Sequence, residues 1–383
     1  MTSPARVAVL RDPPKDRRLS MERFADSLQA SFAQSSAFEL QGFSVDDSGA
    51  ASRRRLRRPS GYATRLLRYP IAAARLDADL FHVVDQGYAH IAALLPPERT
   101  ISTCHDLMLL RAQEGVAGFR GRPTSIVRYR WSTSFLRRFA YVVCDSESTR
   151  RDVIRLRGVH PAKTAVVPLG VDQRFRPLNG VAASVRPPEF TRGAHVLFHV
   201  STGHLYKNVP QTLRVLGALR DGGIDVLLAR AGRPLSGEDA QLARTLRVSE
   251  LIVEFGIVSD ERLVELYNAA DVLVFPSYFE GYGWPPLEAM ACGLPVVTST
   301  APSLIEVVGE AGLSAPADDT EAFVAAIRAL LESPDVWSNF RALGLARAAE
   351  FTWERTRAAY EDIYAAVLRA VGPTSRRPWH ARA

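Results

Sequence analysis

The sequence predicts an α/β protein made of two doubly wound domains, and three observations carry that reading. Short apolar runs alternate with longer amphipathic segments along the whole chain, the rhythm of parallel βαβ units. A stretch rich in proline and small residues, RFRPLNGVAASVRPPEF (174–190), separates two such series. The 383 residues are enough for two independent cores.

The elements follow in order. In the first half VAVL (7–10), LFHVV (80–84), TIST (100–103), YVVCDS (141–146) and TAVVPL (164–169) read as buried strands, with helices over 20–33, 61–76, 124–139 and 147–157. In the second half HVLFHV (195–200), DVLLAR (225–230), IVEFG (252–256), DVLVFP (271–276) and PVVTS (295–299) repeat the pattern. A last periodic helix is expected over 353–371. The expected domains are 1–178 and 179–352, with the helix 353–372 packing back on the first and a disordered tail at 373–383. Ligands of such folds sit at the carboxyl ends of the strands.

Composition narrows the class. Hydrophobic content of 47% and charged content of 23% are those of a soluble globular chain. Cys104, Cys144 and Cys292 stand singly, so neither a disulfide frame nor a cysteine metal site is expected, and a reducing compartment fits. MTSPARVAVL enters a strand without a signal-peptide core, and no apolar run reaches the length of a membrane span. A cytoplasmic location follows, peripheral at most to the inner face of the membrane. Net charge is +7, with residues 1–186 at +13 and 187–383 at −6, so the two halves are expected to meet different partners. Only Lys15, Lys163 and Lys207 are lysines among 48 basic residues. No G-x-G-x-x-G follows the first strand and no P-loop lysine motif occurs, which weighs against NAD enzymes and ATPases.

Chemistry concentrates in FEGYGWPPLEAMACG (279–293). The strand 271–276 ends at Pro276 and a loop follows. Proline suits a first helical turn, so a helix is expected from near Pro286, stopped by Gly293 and Pro295. Glu280 then lies in a glycine-flanked loop and Glu288 in the first turn. Gly281 and Gly283 allow close backbone approach, and amides with a helix dipole suit an anion such as a diphosphate. The bland alternative is that Glu288 complements the dipole and the glycines make a turn.

F-E-G-Y-G-W-P-P-L-E-A-M-A-C-G-L-P-V-V resembles the E-x7-E signature of the retaining family 4 glycosyltransferases, whose GT-B fold has two facing Rossmann-like domains and a deep cleft between them. The resemblance covers most of the chain and is strongest from 140 to 320. It implies that Glu280 contacts donor-sugar hydroxyls, Glu288 the ribose, and the amides of Gly281, Tyr282, Gly283 and Trp284 the phosphates. HVSTGHLYKNVP (199–210) is similar to the family's strand–loop with a K-N pair, which brings in Lys207 as the donor-phosphate cation, with Asn208 beside it. Ser201 stands where the family usually has glycine, and the nearby arginine of some members is replaced here, if at all, by Arg233. VEFGIVSDERLVELYNAADVLVFPS (253–277) resembles the segment whose turn touches the base, which points to Gly256 through Val258. APSLIEVVGEAGL (301–313) is similar to the downstream segment, with Glu306 and Gly309 structural.

In the first half, TCHDL (103–107) is similar to a strand end bearing a histidine near the sugars, so His105 joins Glu280 and Lys207 as a catalytic candidate. Asp106 either orients its ring or caps the next helix. LSMERFADSL resembles a subgroup that lacks the usual glycine-rich first loop, which places acceptor contacts around Ser20 to Arg23. The implied reaction moves a sugar, with retention, from a nucleotide-diphosphate sugar to a saccharide or lipid-linked acceptor in cell-surface polysaccharide or glycolipid synthesis. It needs no cofactor beyond the donor. Asp77-Ala78-Asp79 spells a metal-binding D-x-D of another fold, but precedes a strand and is expected to be a helix-to-strand turn, so no metal is expected. RRRLRRPSGYATRLLRYPIAAARL (53–76) is either a solvated basic segment or a contact with an anionic membrane or lipid diphosphate. No recognition motif accompanies the charge, so nucleic acid is not expected.

Two rivals remain. A glycoside hydrolase or phosphorylase would use Glu280 and Glu288 as acid and base, but those carboxylates must flank a bond, and these share one loop–helix unit. A binding protein without turnover would keep the fold yet not need the set Glu280, Glu288, Lys207 and His105. Release of nucleoside diphosphate from a nucleotide sugar separates all three.

Overall fold

The computed structural model describes residues 3–13, 19–45, 63–115, 123–178, 190 and 194–372. Two compact units emerge. The first comprises Met1–Leu110, Gly121–Gly170 and Trp353–Ala383, and the second Arg111–Arg120 with Val171–Thr352. The changeover at Gly170 precedes the expected 178/179 boundary. Asn268 explains the difference: its side chain accepts from Leu178 N (2.8 Å) and donates to Arg176 O (3.1 Å), holding the start of the proline-rich stretch on the second unit. The tail 373–383 lies outside the described residues.

The first unit holds a parallel sheet ordered β2-β1-β3-β4-β5-β6. Its strands are β1 Ala5–Leu10, β2 Phe38–Phe43, β3 Leu80–Val83, β4 Thr100–Cys104, β5 Tyr141–Cys144 and β6 Thr164–Val166. The central strands are covered on both faces, so they read as largely apolar runs, with His82 in β3 and Thr100, Ser102 and Thr103 in β4 as buried polar exceptions. β2 (FELQGF) is an edge strand with only Phe38 buried, and without an apolar run it has no sequence signal. The expected 61–76 helix is a π turn at Thr64–Arg68 leading into a short helix Tyr69–Ala73, with Pro70 in its first turn. The expected 124–139 helix is α-helical over Pro123–Thr133 and tightens to a 3-10 helix over Ser134–Arg138. Thr133 Oγ1 donates back to Tyr129 O (2.8 Å) at that change.

The helix Trp353–Val371 belongs to this unit and is fastened through a buried polar chain. Tyr364 OH meets His82 Nδ1 (2.8 Å), His82 Nε2 meets Thr103 Oγ1 (2.7 Å), and Thr103 Oγ1 meets Tyr360 OH (2.7 Å). Burial, and then the charge on His105, pull the His82 pKa down to about 3, so its ring is neutral.

The second unit holds a parallel sheet ordered β12-β11-β10-β7-β8-β9. Its strands are β7 His195–Ser201, β8 Val226–Gly232, β9 Ile252–Gly256, β10 Val272–Phe275, β11 Val296–Ser299 and β12 Leu313–Ala315. The chain moves outward from β7 to β9, then crosses back and moves the other way from β10 to β12. The topological switch point therefore lies between β7 and β10, where such sheets open a crevice at the strands' carboxyl ends. β12 has three residues and no detectable period.

Candidate active site

Everything the sequence places on the donor side falls in the second unit, at the carboxyl ends of β7 through β10. Lys207 closes a short 3-10 turn, Leu205–Lys207, after β7, and Glu280 lies in the loop after β10. They meet across the switch point. Lys207 Nζ donates to both oxygens of Glu280 at 2.7 and 2.9 Å, with each side chain about 10% exposed. The Phe275 ring lies 5.0 Å from the ammonium and Tyr206 5.4 Å, so aromatic faces support a charge that little water reaches. The Glu280 backbone is fixed in turn: its carbonyl accepts from Ser303 Oγ at 2.7 Å.

Asn208 explains how Lys207 is aimed. It adopts the left-handed conformation (φ 53°) that ends the 3-10 turn and starts the helix Val209–Asp221. Both Nδ2 hydrogens are used, on Pro276 O (3.1 Å) and Ala317 O (2.8 Å). Asn208 thus ties the loop after β7 to the ends of β10 and β12, and is a brace behind the lysine rather than a group presented to a ligand. Ser201 is also internal. Its Oγ accepts from Gly203 N (3.1 Å) and its carbonyl from Arg233 N (3.1 Å). Gly232 stands against that carbonyl so closely that a Cβ would lie 1.8 Å from the oxygen, and its φ is 120°. Arg233 is exposed and lies along the same loop, with its Cβ packed on Gly203. Burial, then Lys207 and Arg233, lower the pKa of His204 between them, which shows how closely positive groups gather here.

The helix after Glu280 runs Trp284–Ala291, two residues ahead of the expected start. Glu288 therefore lies beyond the first turn, and no acidic residue occupies that turn. The reason is local: Gly283, at φ 137°, breaks the chain, and Pro285 and Pro286 fit the opening turn. Neither proline has an N–H, so any amide donors at this junction come from Gly281 through Trp284. A Cβ on Gly283 would come within 2.9 Å of Leu304 Cδ2, so the turn needs glycine for space as well as dihedral. Tyr282 is buried with its ring edge-on to Phe351 (6.5 Å), and Trp284 is half-buried. Glu288 is 2% exposed and accepts from Tyr267 OH at 3.2 Å. Gly256 (φ 68°) ends β9, and Val258 follows half-buried.

The first-unit candidates look different. His105 follows β4 and is buried, with Phe24 edge-on at 4.7 Å. Nδ1 is 2.5 Å from Asp145 Oδ2 and Nε2 is 2.9 Å from Val84 O. Val84 O can only accept, so Nε2 carries hydrogen, and Nδ1 shares a proton with the buried Asp145 carboxyl, whose own pKa burial raises. Burial opposes charge on either partner, but the Asp145 carboxylate and the Val84 carbonyl outweigh it and raise the His105 pKa. Asp106 does not orient the ring. Its Oδ1 caps the next turn at Met108 N (2.9 Å), and Asp145, which the sequence analysis did not single out, holds the imidazole. Neither ring nitrogen is left for a ligand unless an internal bond is given up. Ser20 is exposed and Arg23 half-buried on the helix Leu19–Ser31.

The D-x-D carboxylates are engaged in the turn. Asp77 Oδ2 accepts from Arg6 Nη2 (3.1 Å), and Asp79 Oδ2 from Arg6 N (2.9 Å). Among the described residues no helix is long and apolar enough to cross a membrane. Residues 53–62 of the basic segment lie outside the described residues, while Leu67 and Ile71 are exposed and Tyr69 is buried.

The Glycosyltransferase Family 4 model matches residues 30–175, and the model for glycosyl transferases group 1 matches 194–333. The MMP alpha-(1->4)-mannosyltransferase of Mycolicibacterium hassiacum is 30% identical over 329 residues, which span 81% of this chain and 76% of that protein. The O-antigen chain mannosyltransferase B of Escherichia coli is 51% identical over 100 residues, a match spanning only 26% of either chain. Among solved structures, the sucrose-phosphate synthase of Thermosynechococcus elongatus matches with a TM-score of 0.76 at 18% identity, covering 96% of this chain and all of that one. The fold is GT-B, and the chain belongs to the glycosyltransferases of family 4.

Proposed function

We propose that this protein transfers a sugar, with retention of anomeric configuration, from a nucleoside-diphosphate sugar to a saccharide or lipid-linked acceptor in glycan or glycolipid synthesis. The observation that carries the reading is the Lys207–Glu280 pair at the β7/β10 switch point, with Glu288 on the same loop–helix unit. A lysine held by a carboxylate in a site with little water is a preformed cation for a diphosphate. When donor binds, Lys207 exchanges one carboxylate contact for a phosphate oxygen, and Glu280 turns its released oxygen to sugar hydroxyls. Glu288 takes the ribose, and the amides of Gly281 through Trp284 and exposed Arg233 add to the diphosphate contacts. Gly256 to Val258 border the base.

In the chemical step the bond from the anomeric carbon to the diphosphate oxygen breaks, and the acceptor oxygen bonds to that carbon on the same face. The acceptor proton passes to the departing diphosphate. Charge develops on the diphosphate, so stabilising it there is the main lever. Lys207 supplies that stabilisation, and the reaction in this reading needs no metal or further cofactor. His105 acts by holding the loop after β4. Relatives named as mannosyltransferases make a mannosyl donor the first to test. The test is incubation with a panel of nucleotide sugars and acceptors, followed by NMR of the product. An α-linked product from an α-linked donor, with one nucleoside diphosphate released per transfer, supports the reading. Inversion, or cleavage of simple glycosides in place of nucleotide sugars, refutes it.

A further inference from the structure

On the surface of the first unit lies a recess of about 540 Å³ that has no part in the donor chemistry. It lies between the helix Pro123–Thr133 with its 3-10 extension and the end of the helix Glu147–Arg157. Arg130, Arg137 and Arg157 line it, together with Val127 and Trp131. None of these arginines has a carboxylate partner among the described residues. The acids of the neighbouring helix are already engaged, Glu147 with Arg150 and Arg151, and Asp152 with Arg155. Among the described residues Arg157 bonds only to carbonyls, one of them Arg130 O at 3.1 Å. Burial, and then the positive Arg130 and Arg137, pull its pKa below the ordinary guanidinium value. Three like charges held together without a counterion are costly unless an anion completes them.

The surroundings indicate which anion. Val127 is 68% exposed and Trp131 46% exposed. The other exposed large apolar side chains of this unit, among the described residues, are Leu67, Ile71 and Leu94. They stand on the segments Thr64–Ala73 and Gln86–Leu94, and His90 joins those to the recess: its ring packs tilted against Trp131 at 5.3 Å while Nε2 bonds to Arg65 O at 3.1 Å. A free phosphorylated metabolite would need the arginines but not an apolar rim. An acidic lipid surface needs both, phosphates for the arginines and interfacial depth for tryptophan and the aliphatic side chains.

We propose that this face of the first unit docks on a bilayer of anionic phospholipid, with the Arg130–Arg137–Arg157 recess taking a lipid phosphate and Trp131 and Val127 entering the headgroup layer. The test is flotation of the full chain with vesicles of phosphatidylcholine, alone or doped with phosphatidylglycerol. Wild type should float only with the anionic vesicles, less so as salt rises. Arg130→Glu/Arg137→Glu should lower that affinity at least roughly thirtyfold, whereas Arg244→Glu/Arg247→Glu, an equal charge change on the second unit, should leave it within about twofold. Trp131→Ala, which keeps the charge, should also weaken flotation. An unchanged melting temperature in the recess variants excludes misfolding. Equal binding to neutral and anionic vesicles overturns the proposal, as does anionic binding that survives Arg130→Glu/Arg137→Glu. So does a wild type that ignores vesicles while binding a DNA duplex through the same arginines.

Discussion

Lys207 and Glu280 show what one contact decides. Each had a sequence signal: the lysine by its K-N context in a chain that otherwise uses arginine, the glutamate by its E-x7-E spacing. That they touch each other was not legible, because partners 73 residues apart are joined by strand order, not by spacing. Replacing Lys207 with Ala should lower transfer by about two to three orders of magnitude, as for other buried donors that stabilise developing charge, in a steady-state assay with a nucleotide sugar. Gly232 makes a structural prediction on the same loop. Gly232→Ala places a methyl 1.8 Å from Ser201 O, and backbone cannot rotate away as a side chain could. It should destabilise the second unit by roughly 3 kcal/mol or more, read from urea unfolding. Gly256→Ala meets no neighbour, carries only the left-handed strain at φ 68°, and should cost about 1–2 kcal/mol. His105 is held differently from Lys207 and Glu280. Its position after a strand end was legible, but that its ring is engaged internally was not, because its partner Asp145 lies 40 residues away on the end of the neighbouring strand.

Elements were legible where burial imposes a pattern and illegible where it does not. Ten strands were foreseen as largely apolar runs, most of them because sheets covered on both faces leave few polar positions. β2 and β12 escaped because an edge strand needs no such run and three residues have no period. The helix after Glu280 was misplaced by two residues because Trp284 is no worse an opening residue than proline, and only the break at Gly283 settles the start. The helix Trp353–Val371 was legible as a period, but its fastening by His82, Thr103, Tyr360 and Tyr364 was not. That fastening has a consequence. Tyr364→Phe leaves a buried His82 nitrogen without its hydroxyl and should cost about 1–3 kcal/mol. Since the helix belongs to the first unit, calorimetry should show the loss in that unit's transition and not in the other's.

At the scale of the whole molecule, the buried histidines make stability depend on pH from both directions. His82 and His199 have pKa values pulled down to about 3 and His90 to about 4, chiefly by burial. The unfolded chain takes up protons near pH 6.5 while the folded chain refuses them, so stability should fall as pH drops from about 6.5 toward 4. His105 acts oppositely. Its raised pKa contributes stability that is complete below about 6.5 and is lost as pH rises through the folded value. Melting temperatures of wild type and His105→Gln should therefore differ most near pH 6 and converge in alkali. The two-unit organisation was legible from the doubled rhythm and the proline-rich stretch, although Asn268 moves the changeover forward. The central claim is that Lys207, Glu280 and Glu288 form one nucleotide-sugar site, and isothermal titration of the folded protein with nucleoside diphosphates tests it most directly. One nucleoside diphosphate should bind with a stoichiometry of one, and Lys207→Ala and Glu288→Ala should each weaken it by roughly ten- to a hundredfold. Wild type that binds none of them, or variants that bind as tightly as wild type, would contradict the claim.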